Sequence, residues 1–197
     1  MIIAVTDRIQ CKVPFLEQFR RVAEARPDMM ILREKDLPEE EYARLASKCL
    51  DMCNTNGIRF CVNSFFRVAE DLSIEYLQIP FEMFVNGIKG KNTIVSIHSA
   101  EEAEYAEEMG ADALIFGNVF ETQCKPGAPS RYEMLKEVCN SVSIPVYGIG
   151  GINEKNAHEV REANASGVCM MSEFMLSEDP ETLLKNIREN KHPAQRA

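Results

Sequence analysis

The chain has 197 residues, 45% of them hydrophobic and 27% charged, with a net charge of -9; that supplies one full core and predicts a single compact soluble domain. The acidic balance excludes a general nucleic-acid or anionic-membrane binder, which needs a basic stripe to displace counterions, so any anionic ligand has to be gripped by a local site. No run reaches the roughly 18 apolar residues of a membrane span, and Met1 to Gln10 lacks a basic segment leading into an apolar one, so a cytoplasmic location is expected.

In chain order, continuous apolar runs alternate with longer amphipathic ones. The runs at 2–6, 29–33, 59–63, 76–79, 93–98, 113–117, 145–149 and 167–171 read as strands buried on both faces of a parallel sheet. Between them, helical periodicity covers 14–25, 38–53, 65–72, 100–110, 131–142, 154–164 and 180–190, with a weak helix at FEMFVNGIKG. Ser64 and Ser99 read as N-caps, Pro38 and Pro180 stand near first turns, and Gly57 and Gly110 follow last turns. A strand and a helix repeated eight times, at roughly 25 residues per unit, predict an α/β fold, the (β/α)8 TIM barrel. The domain is expected over 1–190, with 191–197 as a loose tail.

Seven cysteines, an odd number without a C-x-x-C pair, read as reduced thiols. Cys49 and Cys53 are four apart on a predicted helix; with no His or carboxylate set to complete a metal site, they read as small buried hydrophobes.

In such a barrel the chemistry sits at the C-terminal ends of the strands. Gly148, Gly150 and Gly151 end the seventh strand and let backbone N–H groups approach an anion, the alternative being a tight turn alone. Ser172 follows the eighth strand and opens a short helix whose amides and dipole end complete an expected phosphate cup. Lys35 and Lys125 project from strands two and six as ammonium partners for phosphate, with Arg33 on the side of Lys35; the alternative is a solvated surface pair. The sixth strand runs into NVFETQCKPGAPSR, Asn118 to Arg131, the expected wall of a ligand pocket.

The segments ILREKDL (31–37), VNS (62–64), VSIHSAEEAEYAEEMGADALIFGNVFETQCKPG (95–127), IPVYGIGGI (144–152) and VCMMS (168–172) resemble the thiamine-phosphate synthase and TenI (thiazole tautomerase) family of (β/α)8 barrels. The synthase side of the resemblance implies joining a hydroxymethylpyrimidine diphosphate to a thiazole phosphate, with Mg2+ and release of pyrophosphate. By position, Arg33 and Lys35 match its R-x-K, and Asn63 its V-N-D. Ser96 matches the serine before the thiazole-side loop, Thr122 and Lys125 its P-T-x-T-K, and Gly150, Gly151 and Ser172 its thiazole-phosphate cup. The aspartate after the asparagine is Ser64 here, the second acidic position falls in LQIPFE without an aspartate, and P-T-x-T-K reads E-T-Q-C-K.

The TenI side is closer in the opening loop, which there reads G-H-V-F-E-T-x-C-K-x-G. It implies a metal-free proton shift within a carboxythiazole phosphate, assigned to the loop histidine, and that histidine is Asn118 here. Asparagine exchanges no proton near pH 7, so His98, at the end of strand five, and Cys124, beside Lys125, are the groups weighed as substitutes. The resulting order puts a TenI-like protein of thiazole phosphate metabolism first, a synthase second and a non-catalytic phosphate-binding regulator third. Lys35, His98, Asn118 and Lys125 are the candidate catalytic residues. Arg33, Asn63, Ser96, Thr122, Cys124, Gly148, Gly150, Gly151 and Ser172 are the candidate binding residues. No residue is assigned to a metal, and Mg2+ enters only with the synthase reading. The expected partners are small phosphates, with a homodimer through exposed helix faces.

Overall fold

The computed structural model describes residues 1–121 and 130–189. Its eight parallel strands are β1 (Ile2–Val5), β2 (Met29–Leu32), β3 (Arg59–Asn63), β4 (Tyr76–Pro80), β5 (Asn92–Ile97), β6 (Ala113–Gly117), β7 (Val146–Ile149) and β8 (Gly167–Met170). They pair in chain order, and β8 closes onto β1, so the sheet is a barrel without edges. Each predicted apolar run forms one strand, with ends within one residue of the expected ones.

The helices are α1 (Phe15–Ala25), α2 (Glu39–Asn56), α3 (Phe66–Asp71), α4 (Phe81–Val85), α5 (Ala100–Glu108), α6 (Tyr132–Ser141), α7 (Ala157–Glu162), α8 (Ser172–Leu176) and α9 (Pro180–Glu189). None among the described residues is long and apolar enough to cross a membrane.

The strands are mostly apolar because both of their faces are covered. Ile3, Val5, Met29, Ile31, Cys61, Ile94, Ile115, Tyr147 and Cys169 point inward and form one buried cluster. Their alternating neighbours, such as Ala4, Leu32, Val62, Val95, Phe116 and Val168, belong to the second cluster, shared with the helices. Alternation of side chains along a strand divides one apolar run between two cores.

Three local expectations change. Ser64 does not cap α3: its φ is 66°, and the residue before the helix is Phe65, which makes no side-chain cap bond. Ser99 does cap α5, accepting from the Glu102 N–H at 3.2 Å. The helix expected over 154–164 starts only at Ala157, because the Asn156 side chain accepts from Asn153 N–H at 2.8 Å and the Asn153 side chain from Lys155 N–H at 2.9 Å. Such Asx turns hold the backbone out of the helix. The weak helix after β4 is five residues long, ended by Asn86 and by Gly87 at φ 87°.

Cys49, Cys53, Cys61 and Cys169 are buried, while Cys11 and Cys139 are half-buried. Burial pushes the Cys53 thiol up to about 12 and the Cys139 thiol up to about 11. A disulfide-exchange reagent near pH 8 is therefore expected to titrate no more than three of the seven thiols in the native protein and all seven after unfolding. Five or more reacting in the native state would contradict this packing.

Candidate active site

On β2 to β5 the inward row that fills the barrel turns polar one step further along. Arg33 follows Ile31, Asn63 follows Cys61, Gln78 follows Tyr76 and Ser96 follows Ile94, each two residues on. All lie at the C-terminal ends of their strands, where this fold places its sites.

Three of these side chains are joined. Asn63 and Gln78 are register partners across β3 and β4; Asn63 Nδ2 donates to Gln78 Oε1, and Gln78 Nε2 donates to Ser96 Oγ at 2.6 Å. Asn63 is 2% exposed and Gln78 6%. The Asn63 main chain is fixed from behind: its N–H donates to Tyr42 Oη at 3.1 Å, and that hydroxyl donates to the Leu32 carbonyl at 2.5 Å. Asn63 Oδ1 is buried without a hydrogen-bond partner, although buried polar atoms normally find one.

Arg33 and Lys35 are two residues apart just beyond the end of β2. Burial first, and then the Arg33 charge, hold the Lys35 ammonium below the usual lysine range, which places the two cations in one field. The acids of the same R-E-K-D segment are diverted. Glu34, 2% exposed, accepts from Thr6 Oγ1 at 2.6 Å, from Arg8 N–H at 3.1 Å and from Arg8 Nη1 at 3.2 Å. The same guanidinium forks onto Asp36 with two bonds of 2.6 Å, and this hydrogen bonding is the main cause holding the Asp36 carboxyl below its usual range. Thr6 Oγ1 also accepts from the Arg33 N–H at 2.9 Å. Alternation thus sends the acids to Arg8 and leaves Arg33 and Lys35 as surplus positive charge at the barrel mouth.

Glu34→Ala removes the buried member of this network. It is expected to destabilise the protein by about 2–3 kcal/mol, at or below the lower end for breaking a buried ion pair because Arg8 keeps Asp36. That corresponds to a melting temperature lower by about 5–10 °C for a domain of this size; an unchanged melt would contradict the assignment.

At the end of β6, the Gly117 carbonyl accepts from His98 Nδ1 at 3.0 Å and from Arg131 Nη1 at 3.1 Å. Arg131 also donates to the His98 carbonyl and lies 4.9 Å over the Phe116 ring. A carbonyl oxygen only accepts, so neutral His98 carries its proton on Nδ1 and keeps its lone pair on Nε2. Asn118 follows through a cis peptide bond, and its Nδ2 donates to the Phe120 carbonyl at 3.3 Å.

The β6 loop then runs along the glycine segment: Val119 N–H donates to the Ile149 carbonyl at 2.9 Å and Phe120 N–H to the Gly150 carbonyl at 3.0 Å. Gly150 has φ 100° and Gly151 φ 67°. A Cβ on Gly151 would collide with the Glu121 carbonyl oxygen and meet Phe120 Cβ at 2.8 Å. Gly148 stands apart from them, on the outward row, where a Cβ would meet Val160 at 2.9 Å; its missing side chain makes room for α7. Ser172 is the first residue of α8. Beside it, burial and then the Glu154 charge push the Glu173 carboxyl up. Thr122, Cys124 and Lys125 lie outside the described residues.

The Mg2+ that the resemblance implies wants oxygen ligands, with one or two carboxylates from the protein. Ser64 occupies the first acidic position, and Glu82, in the first turn of α4, is exposed. Among the described residues no three His, Cys, Asp or Glu side chains cluster to hold a metal, and residues 122–129 contain no Asp, Glu or His. The residues present do not fit a protein-held Mg2+.

Sequence reading places Thr6, Arg8, Glu34 and Gln78 at strand ends but assigns none of them a role in the site. Gln78 carried a signal, a single amide inside the apolar run YLQI, at inward register. Glu34 carried none, because a carboxylate between two cations looks the same whether it neutralises them or turns away.

A closed parallel eight-stranded barrel with helices between its strands is a TIM barrel, and its polar, cation-bearing residues stand at the C-terminal mouth, the face where this fold carries its sites. The family model described as thiamine monophosphate synthase matches residues 2–174, and the chain belongs to the thiamine-phosphate synthase/TenI family. The thiamine-phosphate synthase of Methanocella arvoryzae is 34% identical over 181 residues, covering 87% of this chain and 85% of the relative. That of Coprothermobacter proteolyticus is 32% identical over 191 residues, covering 90% and 87%. Among solved structures, the thiamine phosphate pyrophosphorylase from Pyrococcus furiosus superposes with a TM-score of 0.83 at 28% identity, covering 95% of this chain and 93% of that one. These relatives carry the synthase name, which reverses the order expected from the opening loop: coupling now ranks above isomerisation.

Proposed function

We propose that the protein is a thiamine-phosphate synthase, joining a hydroxymethylpyrimidine diphosphate to a thiazole phosphate and releasing pyrophosphate. The observation that carries this reading is the surplus charge of Arg33 and Lys35, left free by the Arg8 network. The thiazole nitrogen bonds to the pyrimidine methylene carbon as the bond from that carbon to the diphosphate oxygen breaks. Arg33 and Lys35 meet the charge that grows on the departing diphosphate. Gly150, Gly151 and Ser172 hold the thiazole phosphate, and the resemblance adds Lys125, outside the described residues, as a further cation. No step is routed through a resident metal.

Displacement by a ring nitrogen needs no general acid or base at the loop, so Asn118 is no handicap to it. Isomerisation needs a Brønsted group there, worth ~10²–10⁴-fold. The tautomerase reading stays as the second, favoured by the lone pair on His98 Nε2, one peptide from Asn118, and by the missing carboxylates.

Incubation with both substrates, with and without Mg2+, tests the proposal: thiamine phosphate and pyrophosphate in equal amounts are expected. Isomerisation of carboxythiazole phosphate without coupling would establish the second reading instead, and saturable binding without either turnover a regulator. Asn118→His is expected to leave coupling within about threefold and, if the second reading holds, to raise isomerisation at least tenfold. A large loss of coupling would show that the loop takes part in the displacement.

A further inference from the structure

Among the described residues five large hydrophobic side chains are exposed, and three of them share two neighbouring helices: Val85 on α4, with Tyr105 and Met109 at α5, each 42% to 46% exposed. Helices α4 and α5 pack against each other, and the Phe81 ring meets the Tyr105 ring edge-on at 5.8 Å. Both helices run the same way around the barrel. Val85 stands one turn beyond Phe81 and Met109 one turn beyond Tyr105, so the four side chains form one apolar patch across the pair.

The two ends of this patch carry opposite charges. Glu101, Tyr105 and Met109 are successive members of one row, four residues apart, on the outer side of α5. Glu101 is exposed, and a bond from the Ser99 side chain is the first cause holding its carboxyl below the usual range, so it is ionised at neutral pH. At the other end Lys89 Nζ donates to the Met109 carbonyl at 2.6 Å and stands 5.2 Å over the Phe84 ring. Neither Glu101 nor Lys89 has an ion-pair partner among the described residues, whereas nearby Lys91 takes Glu75 at 2.6 Å. Each charged end lies about 6 Å along the helix axis from Tyr105.

We propose that this face of α4 and α5 docks a second copy of the chain, with a twofold axis at Tyr105 and the two α5 helices antiparallel. The equal spacing selects both the occupant and its orientation. Rotation about that axis brings each Glu101 to Lys89 of the partner subunit and lays the apolar patch on its own copy. A parallel pairing sets carboxylate on carboxylate and ammonium on ammonium. The contact uses the outside of the helix ring and leaves the barrel mouth open.

Sedimentation equilibrium tests this. At about 100 µM chain and about 0.15 M salt the wild-type protein is expected to have twice the mass of one chain, since a patch at the small end of interface sizes gives micromolar affinity. Tyr105→Glu puts two carboxylates on the axis and is expected to give a monomer, with a melt within about 3 °C of wild type because the side chain is exposed. Glu101→Lys and Lys89→Glu are each expected to weaken dimerisation at least about tenfold, since twofold symmetry enters every charge twice. Both changes in one chain restore opposite charges across the axis, and affinity is expected to return to within about threefold of wild type, a rescue that an unrelated interface would not give.

A wild-type monomer at that concentration overturns the proposal. So does a dimer unaffected by Tyr105→Glu or by Glu101→Lys, or a folded double variant that stays as weak as the single ones. Should Lys89→Glu not fold for want of its bond to the Met109 carbonyl, Tyr105→Glu and Glu101→Lys decide.

Discussion

Replacing Arg33 and Lys35 together by alanine is expected to weaken inorganic pyrophosphate binding about 10²-fold, because each removes a charge-assisted contact and the exposed lysine contributes the smaller share. The fold should survive, since the bonds that shape this corner belong to Thr6, Arg8, Glu34 and Asp36; the Arg33 contact to Thr6 comes from its main chain. Titration calorimetry beside a thermal melt separates the two. A melt within about 2 °C of wild type with binding lost supports the account, and unchanged binding contradicts it. The pH dependence has a definite sign. Lys35, exposed as a residue, is held below the usual lysine range by partial desolvation and then by Arg33, so its proton leaves earlier as pH rises. Wild-type affinity for pyrophosphate should therefore be full on the acid side of that lowered pKa and fall before an ordinary lysine would titrate.

The second large effect is expected at Gly151. Its φ of 67° disfavours any side chain, by about 1 kcal/mol or more. A Cβ there would also press on the Glu121 carbonyl and on Phe120, backbone that cannot yield without moving the β6 loop. Gly151→Ala is expected to cost about 2–4 kcal/mol in all, lowering the melt by about 5–12 °C. Thiazole phosphate affinity should fall more than tenfold, since the same shift opens the cup. A variant that melts and binds like wild type would show that the loop and the glycine segment are independent.

The barrel was legible because its code is redundant: each strand is a mostly apolar run between amphipathic stretches, and the eightfold repeat corrects an error in any one unit. Boundaries slipped where a side chain competes with the backbone, as Asn153 and Asn156 do before α7. The candidate site was legible in part. Arg33, Lys35, Asn63 and Ser96 end their strands, and a polar residue behind an apolar run is conspicuous. Gln78 stood out as a polar strand end, but its role did not, because one amide inside YLQI resembles a tolerated core residue until the register pairs it with Asn63. Gly148 shows the opposite failure. It shares the glycine-rich signature with Gly150 and Gly151, yet alternation turns it toward Val160, and composition does not say which way a residue faces. The ranking of functions turned on the relatives, which carry the synthase name; the opening loop alone pointed the other way.

The most direct measurement is a crystal structure with thiamine phosphate soaked in. Its phosphate should lie against the amides of Gly150 and Gly151 and the Ser172 hydroxyl. Density for the ligand at the opposite face, among the N-terminal ends of the strands, would contradict the assignment.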